Sequence, residues 1–156
     1  NMKIITCALV IIDKYGNILG CHGTGKPNEN GYDFPKGCAE EGENHLDAAL
    51  RELMEETGII LSKSEPIIDA GIHSHNKRKD IHIFIYRIKQ FPDIKTLNCT
   101  SYFIDKNGKE TPEMDSFKII SKNERKELFY HGLQNKFELI DKINEYGLSN
   151  MRISSR

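Results

Sequence analysis

Glu52, Glu55 and Glu56 fall three and four residues apart in the run Arg51-Glu52-Leu53-Met54-Glu55-Glu56. Successive residues of an α-helix turn about 100°, so on a helix the three carboxylates share one side. Like charges at that spacing repel by roughly 0.2–0.5 kcal/mol per neighbouring pair. Such a cluster makes physical sense if a cation sits among the carboxylates, and their oxygens favour a hard ion such as Mg²⁺ or Mn²⁺. The alternative is a solvated acidic helix face, because Glu is a good surface helix former. Arg51 sits beside the cluster, and its planar fork can hold a carboxylate in one orientation.

The glutamates belong to a longer pattern. Gly37, Glu43, Arg51, Glu52, Leu53, Glu55, Glu56, Gly58 and Ile59 satisfy G-x5-E-x7-R-E-U-x-E-E-x-G-U, where U is a bulky apolar residue, at every specified position. Average residue usage would produce that match at roughly one starting point in 10^10, which removes the solvated-helix alternative. The pattern is the Nudix box, and the chain resembles a Nudix hydrolase.

The resemblance implies an α/β fold, a Nudix-type α/β/α sandwich with a mixed β-sheet, as a single Nudix domain over residues 1–156. It implies an enzyme that cuts a pyrophosphate bond in a nucleoside diphosphate linked to another moiety, with Mg²⁺ or Mn²⁺ as cofactor. Metal ions neutralise the clustered charge of a diphosphate and lower the pKa of bound water, and a carboxylate takes the proton. Glu52, Glu55, Glu56 and the carbonyl of Gly37 are the implied metal ligands. Arg51 joins the catalytic set by orienting a glutamate, with Glu43 as its partner. Two carboxylates compete as general base. Glu55 lies in the box. Glu113 lies in Thr111-Pro112-Glu113-Met114-Asp115-Ser116, which resembles the family's loop and strand after the sheet. Asp115 is the weaker alternative.

Specificity has to come from outside the box. Asp33-Phe34-Pro35-Lys36-Gly37 resembles the Pro-Lys-Gly sequence found ahead of the box in some dinucleoside-polyphosphate hydrolases and RNA 5′-end pyrophosphohydrolases. Lys36 offers a point charge to a phosphate. Tyr32, Phe34, Phe84 and Tyr86 offer rings for base stacking, with Phe84 reading more as core. Lys77 and Arg78, in the dense basic run Lys77-Arg78-Lys79, offer charge to a polyphosphate or an RNA 5′ end. ADP-ribose hydrolases tend to carry proline about 15 residues past the box, where this chain has Ser74. Dinucleoside-polyphosphate hydrolases tend to carry tyrosine 16 to 18 past it, where this chain has His75, Asn76 and Lys77. His75 could replace a stacking ring, although a surface-loop histidine is the plainer reading. The balance favours dinucleoside polyphosphates or related nucleotides. RNA 5′-end pyrophosphate or cap removal and ADP-ribose or FAD hydrolysis are the alternatives. A catalytically silent nucleotide- or RNA-binding module is the reading from a different class.

The elements that must position these residues follow from patterning. Ile4–Ile12 and Ile18–His22 read as strands separated by a Tyr15-Gly16-Asn17 turn, and Gly23–Gly31 as a loop. Leu46, Ala49, Leu50 and Leu53 form an apolar stripe on a helix over 45–57, with Asn44 as N-cap and Gly58 as C-cap. The carboxylates are expected opposite that stripe, with Ala48 keeping the approach to them open. Pro66–Ile72, Asp80–Ile88, Thr96–Ile104 and Phe117–Ser121 read as strands, Asn107-Gly108 as a hairpin turn, and 133–146 as a helix packed on the sheet.

A length of 156 residues suits one domain. The net charge of −1 argues against broad electrostatic capture of DNA or anionic membrane. No apolar run nears the roughly 20 residues that cross a bilayer. Cys7, Cys21, Cys38 and Cys99 form no C-x-x-C pair, and of the histidines only His73 and His75 have ligand spacing, without a third ligand, so no zinc site is expected. The expected setting is the cytoplasm, with a nucleotide as partner and a monomer or homodimer as the assembly.

Overall fold

The computed structural model describes residues 3–154. Its centre is β1, Ile4–Ile12, whose β-branched residues alternate between two faces. Cys7, Leu9 and Ile11 join the core beneath one helix, whereas Ala8, Val10 and Ile12 join the core on the other face. This strand is buried on both faces, so it reads as a continuous apolar run.

The remaining strands build outward from β1. A turn at Asp13–Asn17, whose Asp13 carboxylate accepts the Tyr15 and Asn17 amides, leads to β2, Ile18–Gly23. Short β3, Tyr32–Asp33, pairs with β2, and β4, Lys36–Cys38, pairs with β1. After helix α1, His45–Thr57, come β5, Ile68–Ser74, and β6, Lys79–Arg87. The β1–β6 pair is parallel and the other pairs are antiparallel, giving a mixed sheet in the order β3-β2-β1-β6-β5. A separate hairpin joins β7, Tyr102–Ile104, to β8, Glu110–Pro112. It feeds β9, Met114–Ile120, which pairs with β2. Short α2, Arg125–Leu128, and α3, Phe137–Ser154, close the second face. Helices on both faces of a mixed sheet make the expected α/β/α sandwich.

Both predicted caps of α1 form. The Asn44 side chain accepts the Asp47 amide, and Gly58 adopts a left-handed φ of 83°. The β7–β8 turn falls at Asn107-Gly108, as its sequence demands. Elsewhere boundaries move. The strand expected over Thr96–Ile104 survives only as Tyr102–Ile104. Ile94–Thr96 is a 3₁₀ turn capped by Asp93, and Asn98 and Thr100 donate to carbonyls at the end of α1. The helix expected from 133 begins as a 3₁₀ segment, His131–Lys136, before α3.

Phe34 corrects the sequence reading more sharply. It has no exposed surface and packs against Phe129 and Phe137 at ring-centroid distances of 5.5 and 6.1 Å. A ring enclosed this way has no face to offer a base, so Phe34 is a core residue. Truncating such a ring removes buried apolar surface and leaves a cavity, so Phe34→Ala is expected to cost about 3–5 kcal/mol of stability, measured by urea unfolding. A cost under about 1 kcal/mol would contradict this placement.

Candidate active site

The acidic helix meets the sheet at β4. On α1 the buried residues are Ala48, Ala49, Leu53, Glu56 and Thr57. The carboxylate row is therefore not opposite the apolar stripe, because Glu56 lies within the buried side. Ala48 is core, with no exposed surface. Stepping by four from Ala48 to Glu52 to Glu56 keeps these residues close to one line on the helix, which runs beneath β4. The Glu52 carboxylate rests on Gly37. A Cβ at position 37 would sit 2.5 and 2.6 Å from its two oxygens, so only glycine allows the approach.

Arg51 organises the group. Its Nε and one Nη donate to the two Glu43 oxygens at 2.9 Å each, a bidentate pair. Its other Nη donates to Glu52 at 2.9 Å and to Glu55 at 3.2 Å. These bonds hold Glu43 down to a pKa of about 2 and raise that of Arg51. The expected Arg51–Glu43 partnership is present, and the same guanidinium also restrains two of the three clustered glutamates.

Glu56 is left over. It is 1% exposed, and its Oε1 is buried without a hydrogen-bond partner. Burial, then the hydrogen bond and charge of Glu52, push its pKa up to about 10, while Lys36 pulls the other way. Glu113 belongs to the same electrostatic group, because burial and then Glu52 and Glu55 raise its pKa. Among the described residues, no three His, Cys, Asp or Glu side chains stand preassembled around one point. Glu52 and Glu55 are turned to Arg51 instead. The orphaned Glu56 oxygen, the close Gly37 backbone and an all-oxygen donor set nonetheless fit a hard divalent cation.

A cleft of about 760 Å³ opens beside this cluster. Lys36, Tyr32 and Glu113 line it, so three of the sequence candidates come together there. Lys36 is mostly buried and pairs with Asp33 at 2.7 Å. Burial pulls its pKa down, but Asp33 and then Glu56 more than offset this and leave it raised. Lys77 and Arg78 are exposed and lie outside the cleft wall. The Asn76 carboxamide accepts the Arg78 and Lys79 amides, tightening the turn so that Lys79 is the basic residue lining the cleft.

His75 sits in the loop after β5, half-buried, with its ring turned to the cleft. It lines the cleft edge-on to Tyr130 at 6.2 Å, with Nδ1 buried and unpartnered. Burial, then Lys36, lowers its pKa, so its ring is neutral at pH 7. Sequence reasoning missed Tyr130, Phe103 and Thr24 in the cleft wall. Tyr130 has no sequence signal. It reaches the cleft because its amide donates to the Tyr32 carbonyl at 2.8 Å, beside a bridge between Tyr32 and Phe129. Asp115, the weaker candidate base, is instead engaged by His22 at 2.6 Å.

The acidic helix on the mixed sheet therefore sets carboxylates that could hold a cation beside a cleft with room for a ligand. The NUDIX domain model matches residues 2–128, and the chain belongs to the Nudix family of pyrophosphohydrolases. A 17.7 kDa protein from the e-segB intergenic region of Enterobacteria phage T4 is 32% identical over 131 residues, covering 80% of this chain and 86% of the phage protein. The fold is similar to the NUDIX domain of Shewanella oneidensis NrtR, solved with ADP ribose, with a TM-score of 0.65, 14% identity and coverage of 91% and 88% of the two chains. It is also similar to a C. elegans Ap4A hydrolase, with a TM-score of 0.60, 18% identity and coverage of 90% and 96%. No helix among the described residues is long and apolar enough to cross a membrane.

The Glu56 carboxyl makes stability depend on pH. Its folded-state pKa lies above its ordinary 4.5, so the folded protein holds a proton that the unfolded chain has released. The contribution is fully present below about pH 4.5 and is lost as pH rises towards about 10. In chelator, wild-type stability is expected to fall between about pH 5 and 9 by an amount on the order of 1–3 kcal/mol. Glu56→Gln removes this slope and is the more stable protein at about pH 8. Thermal unfolding across pH reads the effect, and parallel curves would refute it.

Proposed function

We propose that this protein hydrolyses a pyrophosphate bond in a nucleoside diphosphate linked to a second moiety, with dinucleoside polyphosphates or related nucleotides as the preferred class. The observation that carries the reading is continuity. Lys36 and Glu113 interact electrostatically with the acidic cluster, and both also line the cleft that holds Tyr32, His75 and Tyr130. Cleft cations at Lys26, Lys36 and Lys79 suit a polyphosphate, and the rings suit a base.

Glu52, Glu55, Glu56 and the Gly37 carbonyl would hold Mg²⁺ or Mn²⁺, with Arg51 yielding its bonds to Glu52 and Glu55 while keeping Glu43. A divalent ion there supplies charge neutralisation at the diphosphate and lowers the pKa of water. Glu113 is the favoured base, because its raised pKa brings it closer to neutral pH while Glu55 would be taken up as a metal ligand. Tyr32 stacks on a base and Lys36 meets a phosphate.

The test is turnover with Mg²⁺ or Mn²⁺ across Ap3A, Ap4A, ADP-ribose, FAD, NADH, nucleoside triphosphates and triphosphorylated RNA. Cleavage of a dinucleotide with the highest kcat/KM supports the proposal. Preference for ADP-ribose or RNA replaces the substrate class, and binding without turnover of any compound defeats the enzyme. Glu113→Gln is expected to lower kcat by roughly 10²-fold or more with KM little changed. A normal kcat would pass the base role to Glu55.

A further inference from the structure

His22 is buried near the end of β2, 5% exposed, and lies outside every role assigned above. Its two ring nitrogens face two acceptors. Nδ1 is 2.6 Å from Asp115 Oδ1, and Nε2 is 3.0 Å from the Pro27 carbonyl. A neutral imidazole has one N–H and can serve only one of them, whereas the imidazolium donates to both.

The two acceptors belong to two segments beside the cleft, the loop that carries Pro27 and the bulge that carries Asp115. Pro27 is at the middle of the Gly23–Gly31 loop, whose residues Thr24, Lys26, Glu29 and Asn30 line the cleft. Gly31 makes the contact possible, because a Cβ there would collide with the Pro27 carbonyl and come within 2.8 Å of His22 Nε2. Asp115 is the extra residue of a β-bulge. His22 pairs with Ser116 and Gly23 with Met114, so Asp115 has no residue opposite it and is free to turn to His22. Glu113 lies two residues before it. Its carbonyl accepts the Thr24 amide at 3.0 Å, and its own amide donates to Ser101 at 2.9 Å.

We infer that His22 is a positioning residue which, as the imidazolium, ties the Gly23–Gly31 wall of the nucleotide cleft to the bulge that carries Glu113. The inference rests on the cleft and base assignments made above. The clamp sets the Thr24 hydroxyl, buried and without a protein partner, at the cleft wall. The titratable and charged groups facing His22 are Asp115 from β9 and Tyr32 from β3, whose ring meets it edge-on at 5.1 Å. Burial lowers the His22 pKa, but Asp115 and the loop carbonyls of Pro27 and Lys26 outweigh it and leave it raised. Losing the proton keeps the shorter Asp115 bond and releases Pro27, so the loop slackens at high pH while the acidic cluster is untouched.

The test uses the intact 156-residue chain and Asp115→Asn, an exposed and conservative change. Imidazole ¹⁵N NMR gives the His22 titration, amide exchange at Thr24 and Lys26 reads the loop, and kinetics use whichever panel nucleotide is cleaved. In wild type, His22 stays protonated above the range of an ordinary histidine and KM rises about tenfold across its NMR midpoint, with kcat changing less than about threefold. Asp115→Asn moves both midpoints down together and speeds exchange at Thr24 and Lys26. An ordinary His22 midpoint, or a KM indifferent to it, overturns the inference. If no nucleotide is cleaved, the substrate reading fails, and the NMR titration and exchange still decide the clamp.

Discussion

Four carboxylates on and just before α1, Glu43, Glu52, Glu55 and Glu56, interact with one another and with Arg51, and the protein's own cations only partly balance them. Arg51 bonds Glu43, Glu52 and Glu55, which leaves Glu56 buried with an unpartnered oxygen. Glu113 adds charge from another element. A buried carboxylate oxygen without a partner is costly in any fold, and burial together with Glu52 raises the Glu56 pKa accordingly. The site is thus held in a state that a divalent ion would relieve, and the surrounding structure keeps the carboxylates from moving apart.

That constraint explains features that are otherwise unrelated. β1 pairs with β4 so that Cys7 lies opposite Gly37, which fixes the backbone on which Glu52 rests. The Asn44 and Gly58 caps set the length of α1 and hence the rotation of its acidic row. The β7–β8 hairpin anchors Glu113 through Ser101, and Asn98 and Thr100 bind that same segment to the end of α1. Helix, hairpin and sheet each deliver one part of the acidic cluster, and none of them could assemble it alone.

Much of this was legible in the residues. Spacing alone placed the glutamates on one helix, and both caps and the Asn-Gly turn formed where their chemistry required. What failed was anything that depended on contacts between distant segments. Phe34 resembles a stacking residue in sequence, but Phe129 and Phe137 enclose it. His75 is the loop residue its sequence suggests, but contacts with distant Tyr130 and Lys36 make that loop part of the cleft. Ala48 was expected to leave space for a ligand and is core instead, because the apolar stripe and the acidic row overlap on α1. His22 carries no motif at all. Its importance appears only when the loop carbonyl and the bulged Asp115 are brought to its two nitrogens.

The central claim is that a divalent ion replaces a proton on Glu56. Calorimetric titration of Mn²⁺ at about pH 7.5, repeated in buffers of different ionisation enthalpy, counts the protons released. The account predicts release of about one proton per ion bound in the wild type, and a much smaller release with weakened binding in Glu56→Gln. Tight binding with no proton released, or equal release by the two proteins, would contradict it.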